Sequence, residues 1–173
     1  MPSRNPAASA DQATRRKAFF GLGSGALALA FPLWALRPSH AFAATSFAVV
    51  KPDSEWKRLL APQAYQVLRH ADTEAPFSSP LDKEKRAGIY RCAGCAQSLF
   101  SSGRKFDSGT GWPSFWQPMS KAVTEKGPSH PMLGTEVLCS RCGGQLGHVF
   151  NDGPQPTGLR YCINGAALDF KAV

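Results

Sequence analysis

The stretch Tyr-Arg-Cys-Ala-Gly-Cys at residues 90–95 is matched by Leu-Cys-Ser-Arg-Cys-Gly-Gly at residues 138–144. Each stretch holds two cysteines in the spacing C-x-x-C, which on a tight turn directs two thiolates at one centre. The neighbouring glycines allow such a turn to bend its backbone amides towards sulfur. The spacing therefore predicts one zinc ion per chain in a tetrahedral four-sulfur site, with the ligands Cys92, Cys95, Cys139 and Cys142.

Two other interpretations of these four cysteines stay open on the sequence alone. Cysteines tend to become disulfides in oxidising compartments, and a C-x-x-C pair can also act as a redox dithiol. A zinc ion closed by four cysteines has no open coordination position, so it would be structural. Under that interpretation the chemistry of the protein takes place elsewhere.

The fifth cysteine, Cys162, belongs to neither pair. A lone cysteine is often a small buried hydrophobic residue. Arg160 and Asn164 lie two residues to either side, so on a strand all three side chains would share one face. A cation and an amide donor beside a thiol favour the thiolate, which makes Cys162 the candidate nucleophile.

The chain from residue 44 onwards is predicted to form one mainly β domain. Helix-start signals at 52–54 and 61–62 indicate short helices in an N-terminal arm at 44–80, with Pro76 ending the second helix. In the core at 81–173, short apolar runs alternate with Gly, Pro, Asn and Asp, which is typical of strands joined by turns. These runs lie at 88–91, 136–138, 147–150 and 159–162.

The first 43 residues have the order of an export signal. Arg-Arg-Lys at 15–17 precedes an uncharged apolar segment at 18–36, and Ala-Phe-Ala at 41–43 is typical of a cleavage site. The paired arginines resemble a twin-arginine signal, although Ala18 stands where such signals usually have a large apolar residue. We expect cleavage after Ala43 and a periplasmic or otherwise exported protein. Retention of 18–36 as a membrane anchor is the alternative.

The net charge of +8 does not indicate a nucleic-acid partner. The first 43 residues contain five basic side chains against Asp11 alone, which accounts for half of this charge. The other basic residues are spread along the chain without a Lys/Arg run, whereas a nucleic-acid footprint requires them to cluster.

Four further motifs follow in order: GTGWPSF at 109–115, LGHVF at 146–150, DGP at 152–154 and RYCIN at 160–164. Together with the two C-x-x-C pairs, they make the chain resemble the methionine-R-sulfoxide reductase B family. The resemblance runs from about residue 55 to residue 170. It implies two antiparallel sheets in a β-tent of the Mss4-like type, short N-terminal helices, and a structural zinc on the side away from the active site.

The resemblance also implies a reaction. Cys162 would attack the sulfur of the R epimer of methionine sulfoxide, mainly in oxidised proteins. Methionine would leave, and the cysteine would remain as a sulfenic acid that thiols can reduce. A thioredoxin-like protein or a small thiol is the expected reductant, and no stable membrane association is expected after signal cleavage.

The remaining site residues are also implied by the resemblance. Trp112 and Phe150 would form an apolar wall for the methyl group of the substrate. The polar set would orient the substrate and water and help deliver a proton to the sulfoxide oxygen. This set comprises His148, Arg160 and Asn164, held in place by Asp152.

Two positions depart from the family pattern. Many members have, at the position of Thr110, a cysteine that forms an internal disulfide with the nucleophile. With four cysteines on zinc, this chain has no such thiol, so we expect an external thiol to reduce Cys162 directly. Gln145 stands where many relatives have a histidine. We assign it to substrate binding, and because glutamine does not titrate near neutral pH we expect an altered pH profile.

Two other functions remain as alternatives: a zinc-knuckle binding module and a general thiol oxidoreductase. A binding module gives no reason for Cys162 to stand between Arg160 and Asn164. A dithiol oxidoreductase usually has its C-x-x-C at the start of a helix, whereas the residues after Cys95 have the pattern of a strand or turn.

Overall fold

A computed structural model describes residues 46–130 and 132–173 of the protein. The predicted export signal at 1–43 lies outside these residues. Within the described part, no helix is long and apolar enough to cross a membrane.

Two short helices precede the strands, as the resemblance implied. Helix α1 spans Asp53–Leu59 and helix α2 spans Pro62–His70. A proline suits the first turn of α2 because the N–H that it lacks would have no partner within the helix. Helix α2 ends at Ala71, which adopts the left-handed conformation with a φ of 55°. The helix therefore stops before Pro76, the residue expected to end it.

The rest of the described chain forms nine strands in two sheets, and all pairs of neighbouring strands are antiparallel. The strands are β1 Gly88–Cys92, β2 Ser98–Ser101, β3 Lys105–Phe106, β4 Ser114–Phe115, β5 Val123–His130, β6 Gly134–Cys139, β7 Gln145–Phe150, β8 Arg160–Ile163 and β9 Leu168–Ala172. The smaller sheet has the order β2-β1-β9, and the larger has the order β3-β4-β8-β7-β6-β5. The predicted mainly β fold is confirmed.

Aromatic side chains from both sheets form the centre of the core. The rings of Phe100 on β2 and Phe115 on β4 stack with centroids 4.3 Å apart. Tyr90 on β1 meets Phe115 edge to face at 4.9 Å. All three side chains are fully buried, so this cluster joins the small sheet to the large one. Helix α2 packs against β7, and its residues Tyr65, Val67 and Leu68 belong to the same buried core.

Candidate active site and metal centre

The four predicted zinc ligands lie together. The Sγ atoms of Cys92 and Cys142 are 3.7 Å apart and those of Cys95 and Cys139 are 3.5 Å apart. All four sulfurs lie within 4.8 Å of one another. A tetrahedral zinc ion with Zn–S bonds of about 2.3 Å requires sulfurs about 3.8 Å apart, whereas a disulfide would need about 2.05 Å. The cluster therefore fits a zinc ion, and no disulfide joins any of the five cysteines.

The two cysteine turns share one backbone geometry. Ala96 N–H donates to the Cys92 carbonyl at 2.8 Å, and Gly143 N–H donates to the Cys139 carbonyl at 2.9 Å. Ala96 and Gly143 both have positive φ angles, of 58° and 68°. The turns begin at the ends of β1 and β6, so a metal ion in the cluster would link the small sheet to the large one.

The crowding of four sulfurs changes how the thiols titrate. Hydrogen bonds to Cys139 raise the pKa of Cys92 and of Cys142. The same kind of bond from Cys139 lowers the pKa of Cys95. Four thiolates this close repel one another, and a divalent cation offsets that repulsion.

Cys162 lies on β8, outside this cluster. It faces His148 on β7 and Ser114 on β4. Directly opposite residues in an antiparallel pair have side chains on the same face of the sheet, so the three side chains are neighbours. Gly147 allows β7 to approach this closely, because a Cβ there would collide with the Cys162 carbonyl oxygen.

Cys162 lines a cavity of about 200 Å³. This is smaller than the pockets of about 300–1,000 Å³ that hold drug-sized ligands and suits a single side chain. Its lining combines four apolar side chains with a thiol, an imidazole, an amide and a hydroxyl. The lining residues are Thr73, Trp112, Met132, Leu133, Gly147, His148, Phe150, Cys162 and Asn164.

Burial has a larger effect on the pKa of Cys162 than the polar neighbours of this thiol have. Burial raises the pKa of Cys162, and the Thr110 hydroxyl and the charge of Arg160 offset this only in part. The hydroxyl of Thr110 lies 3.9 Å from the Cys162 sulfur. The charge of Arg160 favours the thiolate, as the sequence predicts. The prediction that the thiolate is the favoured form is nevertheless wrong, because the effect of burial is larger.

Arg160 connects two other predicted site residues. Its guanidinium donates two hydrogen bonds of 2.8 Å to the carboxylate of Asp152. It also lies 4.3 Å from the centre of the Phe150 ring, in a cation–π contact. Asp152 therefore holds Arg160, and Arg160 in turn holds Phe150 at the cavity.

His148 is half-buried beside an acidic residue. Burial lowers its pKa, and the carboxylate of Glu136 partly reverses this effect. Glu136 lies directly opposite His148 on β6, and its carboxylate is 3.4 Å from the ammonium of Lys126. The imidazole is consequently neutral to a lower pH than an ordinary histidine.

Asn164 and Trp112 are held by Glu74, a residue that no sequence motif indicates. The Asn164 Nδ2 donates to the Leu146 carbonyl at 3.1 Å, and its Oδ1 accepts from the Glu74 N–H at 3.1 Å. The Trp112 indole N–H donates to the Glu74 carbonyl at 3.2 Å. Glu74 stands in a Thr-Glu-Ala-Pro loop with no motif of its own, and its partners are distant in the chain, so no local pattern could have identified it.

Similarity to known proteins agrees with this arrangement. The chain matches the SelR domain family over residues 60–172. The peptide methionine sulfoxide reductase MsrB of Leptospira interrogans is 53% identical over 128 residues, which cover 73% of this chain and 98% of the relative. The protein of the same name from Bradyrhizobium diazoefficiens is 57% identical over 122 residues, or 69% of this chain and 88% of the relative. The protein of the same name from Methanosarcina barkeri is 54% identical over 126 residues, which cover 72% of this chain and 89% of the relative. The chain belongs to the MsrB family.

One predicted site residue of this MsrB chain does not reach the cavity. Gln145 is buried, and it lines a separate cavity of about 400 Å³ together with Arg69 and Glu136. Its Oε1 atom has no hydrogen-bond partner among the described residues. The structure thus places Gln145 apart from the lining around Cys162, whereas the other predicted residues line that cavity or hold its lining.

Proposed function

We propose that this protein reduces the R epimer of methionine sulfoxide, mainly in oxidised proteins, with Cys162 as the nucleophile. One observation carries the proposal. The only cysteine outside the four-sulfur cluster lines a cavity of side-chain size, together with Trp112, Phe150 and His148. The naming of the relatives as peptide methionine sulfoxide reductases supports the same activity.

The proposed cycle uses the Cys162 thiol as the nucleophile and two external thiols as the reductant. The Cys162 sulfur attacks the sulfoxide sulfur, and the sulfoxide oxygen takes up a proton. The oxygen is then transferred from the substrate sulfur to the Cys162 sulfur as the bond between the two sulfurs breaks, so the products are methionine and the Cys162 sulfenic acid. A first external thiol forms a mixed disulfide with Cys162 and releases water. A second external thiol then restores the Cys162 thiol and leaves as a disulfide with the first.

Shape and charge in the cavity account for the preference for one epimer. The R and S epimers differ in whether the oxygen or the methyl group points in a given direction. The rings of Trp112 and Phe150 offer apolar contact for the methyl group, whereas His148 and Asn164 offer donors for the oxygen. His148 as an imidazolium would donate the proton that the departing oxygen requires.

We also propose that the protein holds a structural zinc ion and is exported. The four-cysteine cluster would hold a zinc ion that links the two sheets and keeps four thiols out of the reaction. Export through the twin-arginine route would deliver a chain already folded around its metal. Thiolates bound to zinc are thereby protected from forming disulfides in an oxidising compartment.

Both epimers should be assayed with the wild-type protein and with Cys162→Ser, using dithiothreitol as the reductant. We expect the wild type to reduce the R epimer alone, and Cys162→Ser to lose this activity while keeping the wild-type thermal unfolding curve and zinc content. Unchanged turnover in Cys162→Ser would overturn the mechanism. Reduction of the S epimer at a comparable rate would overturn the assignment of the stereochemistry.

A further inference from the structure

A short strap, residues 73–77, connects helix α2 to the sheets and runs past the cavity. Glu74 in this strap is 5% exposed, which is unusual for a charged residue. No salt bridge accompanies it within the described residues. Glu74 instead makes hydrogen bonds. Each partner either lines the cavity or lies within two residues of Asn164, which lines it.

The carboxylate of Glu74 anchors the strap to the chain just beyond Cys162. It accepts hydrogen bonds from the backbone N–H groups of Gly165 at 2.5 Å and Ala166 at 2.8 Å. Hydrogen bonds to an ionised acceptor are roughly twice as strong as those between neutral groups. These residues directly follow Asn164, so the carboxylate also fixes the end of β8.

The peptide groups of Glu74 hold two side chains that come from different parts of the sequence. Its N–H donates to the Asn164 side chain, and its carbonyl accepts from the Trp112 indole. One residue thus sets the separation between the ring and the amide across the cavity. Thr73, the neighbouring residue in the strap, also lines the cavity.

A second contact docks the strap on the loop that carries Trp112. The Phe77 N–H donates to the Gly111 carbonyl at 2.7 Å. A Cβ at Gly111 would press on Pro76 and on the Phe77 backbone nitrogen. The strap is therefore packed directly against this loop.

We propose that Glu74 is a positioning residue for the reduction, and this inference rests on the proposed function. The buried carboxylate locks the strap in place, and the locked strap holds Trp112 and Asn164 at the spacing that the substrate requires. Glu74 itself does not line the cavity, so it acts through these two side chains. Substrate binding depends on that spacing, because a misplaced wall or donor weakens every contact with the sulfoxide group.

Glu74→Gln is the sharpest test. An amide can accept through its oxygen only, and its NH₂ group would face a backbone N–H donor. We expect kcat/KM for the R epimer to fall about tenfold or more, mainly through a higher KM. Glu74→Asp keeps the charge but is one methylene shorter, and it should give an intermediate loss. The matched control is Glu84→Gln, since Glu84 is a hydrogen-bonded carboxylate that does not contact the cavity lining.

A double-mutant cycle with Trp112→Phe tests whether Glu74 acts through Trp112. This substitution keeps an aromatic ring but removes the N–H that bonds to Glu74. We expect the double variant with Glu74→Gln to lose less than the sum of the two single losses, because both break the same connection.

Two outcomes would overturn the inference. The first is a wild-type KM in both Glu74→Gln and Glu74→Asp, with any loss of kcat in proportion to the folded fraction measured by thermal unfolding; that result indicates a merely structural role. The second is full additivity in the cycle. Both comparisons are made relative to an active wild type, so failure of the proposed function would be seen separately, as activity that survives in Cys162→Ser.

Discussion

Among single residues, the contact between Thr110 and Cys162 bears on how the proposed catalytic cycle would close. The Thr110 hydroxyl is 3.9 Å from the Cys162 sulfur, which puts position 110 within reach for an internal resolving thiol. A hydroxyl cannot form a disulfide. Under the proposed mechanism, the side chain at position 110 would therefore determine whether the cycle ends on an external thiol or on an internal disulfide.

Thr110→Cys should convert one cycle into the other. After oxidation by one equivalent of substrate without reductant, we expect the variant to form a disulfide between position 110 and Cys162. The wild type should instead carry one added oxygen on Cys162. Intact-protein mass spectrometry distinguishes the two products, and Thr110→Ser is the control that should behave as the wild type. A disulfide involving Cys162 in the wild type would contradict the assignment of the other four cysteines to zinc.

The titration of Cys162 offers a second prediction at this scale. Its pKa is raised by burial and is partly lowered by the Thr110 hydroxyl. A raised pKa means that the thiolate, and with it the alkylation rate, increases only at a pH above the usual range for cysteine. Thr110→Val removes the hydroxyl and should move the alkylation profile of Cys162 further up in pH. Thr157→Val, which removes a hydroxyl bonded to the Trp116 carbonyl, should leave the profile unchanged.

His148 is the proposed proton donor, so its titration should set the alkaline limb of the pH profile. Burial lowers its pKa, and Glu136 reverses this effect only in part. The imidazolium is lost as the pH rises through this lowered pKa. If His148 donates the proton, Glu136→Gln lowers that pKa further. We therefore expect the alkaline limb of kcat to move to lower pH in this variant, as measured by the rate of R-epimer reduction between acidic and neutral pH. A limb that stays in place would exclude His148 as the donor.

Among the structural elements, the cysteine cluster lies where the ends of two strands meet, although no sheet hydrogen bonds connect these strands. Strand β1 belongs to the small sheet and β6 to the large one. The turns after them bring Cys92 and Cys139 together across the core. The four strand predictions at 88–91, 136–138, 147–150 and 159–162 are confirmed, because these short apolar runs coincide with β1, β6, β7 and β8. The two-residue strands β3 and β4 have no periodicity, so only pairing with neighbours defines them.

Removal of the metal should separate the effects of zinc from those of catalysis. Cys139→Ser, or treatment with a strong chelator, is expected to lower the Tm by about 10 °C or more, because the link between the sheets is lost. Zinc content should fall below one per chain. The control is Cys162→Ser, which should retain both zinc and Tm. A Cys139→Ser variant with full zinc and an unchanged Tm would contradict the structural role.

At the scale of the whole molecule, the export prediction concerns residues 1–43. We expect the exported protein to begin at Ala44 and to contain zinc, as measured by N-terminal sequencing and metal analysis. Replacing both Arg15 and Arg16 by lysine should retain the charge but prevent export if the twin-arginine route is used. An exported protein that begins before Ala43, or export that survives the double substitution, would contradict the prediction.

Sequence patterns alone were enough to predict the four-cysteine cluster, the candidate nucleophile Cys162 and the class of fold. These depend on local patterns: a spacing of three residues within each cysteine pair, a count of five cysteines, and short apolar runs between turn residues. Tertiary packing was needed to show that Gln145 lies outside the cavity and that burial raises the pKa of Cys162. It also showed that Glu74 holds Trp112 and Asn164 across the site. Such properties depend on which side chains exclude water and meet across the sheets, and contacts between residues as distant as Glu74 and Asn164 leave no trace in the neighbouring sequence.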